Sequence, residues 1–216
     1  NGLNWAAASV PRVNRLTDLV LGSVNGVPTF AAVGFNGTIL TSTNGTFWTQ
    51  RNTGTQTFFL ESVAYGDGLY LAITSGRDYL FSEDGITWNR AAIPESVMNE
   101  AGLLKAVTFG NTTFRVVGEN GTVLTASAEA VREPTDPSDG SSRWVREISL
   151  GTETLNNVTF GGDRFVAVGN NGTILVSLPE EANLSLADYI DSIDFSGLTA
   201  GPVTGSDDPD GDGQRV

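Results

Sequence analysis

Short apolar runs closed by glycine recur along the whole first part of the chain. "LTDLVLG" from Leu16, "LESVAYG" from Leu60, "LKAVTFG" from Leu104 and "LNNVTFG" from Leu155 open four units, and their closing glycines Gly22, Gly66, Gly110 and Gly161 are spaced by 44, 44 and 51 residues. A second run follows in each unit: "TFAAVG", "LYLAIT", "TFRVVG" and "RFVAVG". A turn, a third run, another turn and, in three of the units, a Trp come next. In runs such as Phe165-Val166-Ala167-Val168 consecutive residues are apolar rather than alternating, so both faces of each strand are expected to be covered.

The turns carry their own chemistry. Asn36-Gly37, Asn120-Gly121 and Asn171-Gly172 are predicted as two-residue hairpins whose central positions need positive φ. A second set, Asn44-Gly45, Asp84-Gly85 and Asp139-Gly140, precedes Trp48, Trp88 and Trp144. Unit two departs from the first set with "SGRDY", where Gly76 is expected to supply the unusual backbone geometry. Four short strands repeated with a period in the forties make a propeller blade. The three Trp side chains are expected to pack between blades.

"SEDGITW" (Ser82 to Trp88) and "STNGTFW" (Ser42 to Trp48) resemble the Asp-box hairpins of bacterial propellers, one residue shorter than the commonest form. "NNVTFGGDRFVAVGNNGTILVS" resembles the repeats of photosystem-II-assembly-factor-like and sialidase-like propellers. The resemblance covers about residues 1–178. It implies a fold and, because such blades serve many functions, no particular activity. Within the hairpins, Ser and Asp side chains are expected to bond local backbone N–H groups rather than to hold sugar or metal.

Composition narrows the chemistry. The chain has 216 residues, no Cys, no His and a single lysine, Lys105. That excludes disulfides, Ser-His-Asp and Cys-His nucleophile systems, and zinc sites of the His/Cys kind. A sialidase would need an arginine cluster and a Tyr–Glu pair, and the family's arginine contexts are not recognisable. Paired carboxylates for glycoside cleavage remain open, since their pairing is spatial. The formal charge is −13; residues 178–216 hold nine acids and one Arg, hence −8 of it. No basic stripe suited to nucleic acid is present, and no apolar run reaches the 18 residues of a membrane span.

Candidate binding positions lie at the inner-strand starts, where Thr17, Glu61, Lys105 and Asn156 place four chemistries at one repeat position. Arg12, Arg15, Arg51, Arg90 and Arg146 sit in the segments between units. Unit three carries an insertion, "SAEAVREPTDPSDGSSR", expected as an irregular surface loop.

Residues 179–216 are expected as a separate short helix and acidic tail. "SLADYIDSID" from Ser185 has helical apolar spacing, with Ser185 as N-cap. Asp208, Asp210, Asp212 and Gly213 match the first half of a calcium loop. That stretch resembles the C-terminal region of secreted verrucomicrobial and planctomycetal proteins, which implies those three aspartates as ligands of calcium. Their loop continues to an Asn and a Glu, whereas this sequence ends at Val216.

The last unit lacks a fourth strand after Ser177, and "NGLNW" at Asn1 to Trp5 reads as the second half of a hairpin with no first half. Joining the two predicts an all-β, four-unit propeller, residues 1–178, closed by its N-terminal strand. The same pairing between two chains would give an eight-bladed dimer. The expected role is a non-catalytic, secreted or cell-surface bacterial module that binds protein or glycan. The alternative is a propeller glycoside hydrolase or lyase using carboxylates.

Overall fold

The computed structural model describes residues 4–54, 59–147 and 151–178. Asn1–Ser177 form one compact unit, and it contains four antiparallel sheets in sequence order. Blade one is β1 (Leu16–Val24), β2 (Val27–Gly34), β3 (Ile39–Ser42) and β4 (Thr49–Gln50). Blade two is β5 (Leu60–Gly66), β6 (Leu69–Thr74), β7 (Asp78–Ser82) and β8 (Asn89–Ala92), followed by the short helix α1 (Glu95–Met98). Blade three is β9 (Leu104–Gly110), β10 (Thr113–Gly118) and β11 (Val123–Ser127), then helix α2 (Ala128–Arg132) and strand β12 (Val145–Arg146). Blade four has three strands among the described residues, β13 (Leu155–Gly161), β14 (Arg164–Gly169) and β15 (Ile174–Val176).

Local turn chemistry sets these meanders. Asn36, Gly37, Asn120, Gly121, Asn171 and Gly172 all have the expected positive φ, between 52° and 72°, but each pair sits at the centre of a five-residue connection, between Val33 and Ile39, Val117 and Val123, and Val168 and Ile174, rather than a two-residue hairpin. In the second set of turns only Gly45, Gly85 and Gly140 turn left-handed. Their side-chain bonds are local: the Ser42 hydroxyl accepts from Gly45 N (2.9 Å), and Asn44 Oδ1 accepts from Thr46 N and Phe47 N (2.9 and 3.0 Å). Ser82 and Asp84 repeat the arrangement. Gly76 is a correction, since it is not among the positive-φ residues. There the Thr74 hydroxyl accepts from Gly76 N and donates to Asp78 O, and this side chain closes the turn.

Blades stack through apolar side chains from both faces. Ala31, Val33 and Ile39 of blade one meet Leu60, Val63, Tyr70, Ala72 and Trp88 of blade two. Leu71, Ile73 and Tyr79 of blade two meet Leu104, Phe114, Val116 and Trp144 of blade three. Ala106 and Val117 of blade three meet Leu155, Val158, Phe165 and Ala167 of blade four. In each of the first three blades an inner-strand glycine serves as a notch for the next blade's aromatic ring. A Cβ on Gly22 would lie 2.6 Å from Tyr65 Cδ2; on Gly66 it would fall inside the Phe109 ring, and on Gly110 inside the Phe160 ring. The aromatic and the glycine are neighbours in sequence, so one short motif, aromatic-Gly, supplies the key of one interface and the slot of the next.

Three further expectations are corrected. First, the insertion in unit three is partly helical and buried: the Ser127 hydroxyl caps α2 by accepting from Ala130 N, and Ala128, Ala130 and Val131 enter the core. The Tyr79 hydroxyl donates to Val131 O (2.7 Å) and Trp144 Nε1 to Ala130 O (3.1 Å), so the insertion satisfies two buried donors. Second, Trp88 and Trp144 are buried between blades, but Trp48 is only half-buried, because among the described residues no blade stands before its own. Third, no closure by the N-terminal strand is present among the described residues. Ser9 instead forms a parallel bridge to Phe47, with Ser9 N donating to Thr46 O (2.8 Å) and Trp48 N to Ser9 O (3.2 Å).

Burial pushes the phenols of Tyr70 and Tyr79 up to about 12. Their neutral forms are the ones the fold favours, so their contribution is complete below the ordinary pKa of 10.0 and is lost as pH rises through about 12. Thermal unfolding followed from pH 8 to 12 is expected to show Tm falling above about pH 10, with a shallower fall in Tyr79→Phe. A flat profile for the unchanged protein would mean that ionisation of the phenols does not oppose folding.

Candidate functional site

Thr17, Glu61, Lys105 and Asn156 occupy equivalent places. In every blade the register skips one inner-strand residue, between Leu16 and Asp18, Leu60 and Ser62, Leu104 and Ala106, and Leu155 and Asn157. The four residues are therefore the extra residue of the same β-bulge, a feature common beside functional sites. Three of them have their polar groups engaged within the molecule. The Thr17 hydroxyl donates to Leu60 O (2.6 Å), Lys105 Nζ pairs with Glu119 Oε1 (3.0 Å), and Asn156 Nδ2 donates to Asn170 Oδ1 (2.8 Å). No signal in the sequence marks Glu119 as the partner of Lys105, because strand alignment brings the two together. The Lys105 ammonium holds the Glu119 carboxyl below its ordinary value.

The bulge also frees a backbone N–H, and a side chain of the preceding blade receives it. Asp18 Oδ2 accepts from Val63 N (2.9 Å) and from the Ser62 hydroxyl (2.6 Å); the Ser62 oxygen accepts from Val107 N (3.2 Å). Blade three has Ala106 at this place, and Val158 N is served by its own Asn157 Oδ1 (2.8 Å). On blade one, Leu19 N is served by its own Asp18 Oδ1 (2.7 Å). Four of the five interblade arginines are likewise committed: Arg51 Nε donates to Thr41 Oγ1 (2.6 Å), Arg90 pairs with Asp78 (2.9 Å), Arg146 donates to the carbonyls of Asn99 and Glu100, and Arg15 lies over the Phe35 ring.

What the fold leaves uncovered is apolar. On blade one Leu19 and Leu21 are each 53% exposed, and an open hollow of about 530 Å³ is lined by Val10, Leu16, Leu19, Ala32, Leu40 and Trp48 together with the polar Thr17 and Asp18. On blade four Ile174 is 66% and Val168 45% exposed, and Val176 is also open. The equivalents of these positions elsewhere, Val63 and Val107 for Leu19, or Ile39 and Tyr79 for Ile174, are buried. Among the described residues no group of three His, Cys, Asp or Glu is placed to hold a metal ion. Asp208, Asp210 and Asp212, and the helix expected from Ser185, lie outside the described residues.

Solved structures share this architecture. The fold is β-propeller-like. A structure of YCF48 bound to a D1 peptide matches 77% of this chain at 16% identity with a TM-score of 0.55, and YCF48 from Cyanidioschyzon merolae matches 76% at 18% identity with a TM-score of 0.51. The extracellular domain of BT4673 from B. thetaiotaomicron matches 83% at 12% identity with a TM-score of 0.55. The matched regions are 52%, 53% and 23% of those chains, so this chain spans about half the length of the YCF48 structures. No protein-family model matches the chain, and no curated protein matches it by sequence. No helix among the described residues is long and apolar enough to cross a membrane.

Proposed function

We propose that this chain is a non-catalytic interaction or assembly module of the propeller type, secreted or displayed at a bacterial cell surface, with a protein as its partner. The observation that carries this reading is the contrast between its polar and apolar surfaces. The polar bulge residues Thr17, Lys105 and Asn156 are engaged in bonds within the molecule, whereas Leu19, Leu21, Val168 and Ile174 face solvent on apolar blade faces. Exposed apolar faces of this kind mark protein interaction sites, and the sparse hydrogen-bonding groups on them favour protein over glycan. The D1 peptide carried by the YCF48 neighbour and the extracellular origin of the BT4673 neighbour are in keeping with this reading. β15, an edge strand among the described residues, adds a second means of capture, since such an edge can pair with an extended peptide.

The test is an array of extended apolar peptides beside a glycan array, probed with the intact chain. At concentrations where the chain is monomeric, peptide capture is expected, weakened about tenfold by Leu19→Asp or Ile174→Asp, as for a central contact of an interface. Retention of glycans instead, or turnover on a glycoside panel, would replace this reading with the carboxylate-hydrolase alternative.

A further inference from the structure

We infer that the partner of the two open faces is a second copy of this chain, docked head to tail so that blade four of each copy meets blade one of the other in an eight-bladed ring. The inference rests on reading these faces as interaction surfaces and names what covers them. Its basis is that the two faces are the separated halves of the interface the chain already makes three times.

Three features at the open ends match in kind. The notch comes first. Gly22, Gly66 and Gly110 are each filled by a ring of the next blade, whereas among the described residues nothing lies within 4 Å of a Cβ on Gly161. The residue at the corresponding key position of blade one is Leu21, half exposed. The bulge N–H comes second. Asp18 and Ser62 each serve the freed N–H of the following blade; Asn157 stands exposed at the equivalent place on blade four and Leu19 N is the equivalent donor on blade one, and docking would exchange their present bonds to Val158 N and Asp18 Oδ1 for one across the faces.

The missing strand comes third. Each of the first three blades has a Trp followed at once by a short fourth strand: Trp48 before β4, Trp88 before β8 and Trp144 before β12. Blade four stops at β15 among the described residues, while Trp5, followed by Ala6 and Ala7, is 98% exposed and in no strand. Trp48 and Trp88 rest on Phe30 and Tyr70, the aromatic residues of the second strand in their own blades. A Trp5 from the second copy placed after β15 would rest by the same rule near Phe165, and Ala6 and Ala7 would pair with the open edge.

A ring is the closed solution for such a head-to-tail contact, since without closure the same contact propagates. Four blades from each chain give eight, within the range that propellers adopt. The charge of −13 on each copy opposes pairing, so salt is expected to favour it.

The test begins with the molar mass of the intact 216-residue chain by light scattering over a concentration series. A discrete species of twice 22.7 kDa is expected, increasing with salt. A chain that stays at 22.7 kDa at its highest soluble concentration, or that grows into open-ended assemblies, overturns the ring. Leu21→Asp and Val168→Asp then block one face each at half-exposed positions, with far-UV circular dichroism as the check that each folds. Each variant alone is expected to be monomeric, and an equal mixture to recover a two-chain species through its one intact pair of faces. If one variant still dimerises while the other does not, or if the mixture stays monomeric, the contact is not head to tail and the inference fails. A monomeric chain whose peptide capture is still weakened by Leu19→Asp would sink the ring and leave the proposed function standing. A monomeric chain whose capture is unchanged would sink both.

Discussion

Gly66→Ala and Gly110→Ala are each expected to destabilise the protein by about 3 kcal/mol, the upper end of what overpacking costs. Gly161→Ala, measured where the chain is monomeric, is expected to change stability little. All three glycines close an inner strand at the same repeat position, and none has the positive φ that would penalise a side chain by itself. The difference lies in what faces them. A methyl group at Gly66 or Gly110 would occupy the volume of the Phe109 or Phe160 ring, and those rings are themselves held against Phe114 and Phe165 at 4.8 Å between centroids. The rings cannot withdraw without opening the interface. Urea midpoints with unchanged slopes would report the effect, and Phe109→Ala should lower the cost of Gly66→Ala, because the clash is pairwise. Equal losses at all three glycines would mean that the notches do not set the blade spacing.

Trp144→Ala is expected to cost about 4 kcal/mol, a fall in Tm of roughly 8–16 °C for a domain of this size. Trp144 is 2% exposed, lies 5.4 Å from the Tyr79 ring across the interface of blades two and three, and donates to Ala130 O. Removing it empties a large volume and releases α2 from one hydrogen-bonded anchor, leaving the Tyr79 hydroxyl on Val131 O as the other. Trp48→Ala is expected to cost about 1 kcal/mol, since its ring is half in solvent and its Nε1 bond to Gly45 O stays within its own hairpin. Calorimetry on the two variants checks the order. A Trp48 loss equal to that of Trp144 would mean that the face of blade one is covered in solution, and mass measurement would then show by what.

Much of the candidate site is legible in the sequence as positions but not as chemistry. Thr17, Glu61, Lys105 and Asn156 stand at one repeat position, and the structure gives that position its meaning as a β-bulge. Their partners are not legible, because Leu60 O for Thr17 and Glu119 for Lys105 are set by how strands align, not by any local pattern. The insertion of unit three reads as irregular because Pro134, Pro137 and the Asp and Ser residues dominate its composition. Its Ala and Val side chains form a helix because blade two offers an apolar wall and the Tyr79 hydroxyl a donor.

The sequence by itself determined the repeat, the strands within each unit and the turns between them. Those are local: Asn-Gly pairs reach positive φ at low cost, and apolar runs too short for helices demand sheets covered on both faces. Tertiary structure alone decided which copies of a repeated residue are buried. Leu19 and Val63, Ile174 and Ile39, Gly161 and Gly66 are near-equivalents in sequence, yet one member of each pair is open and the other covered. Burial of a blade face depends on whether another blade stands beside it. That is a property of position in the stack, which a repeating sequence does not encode at any single residue.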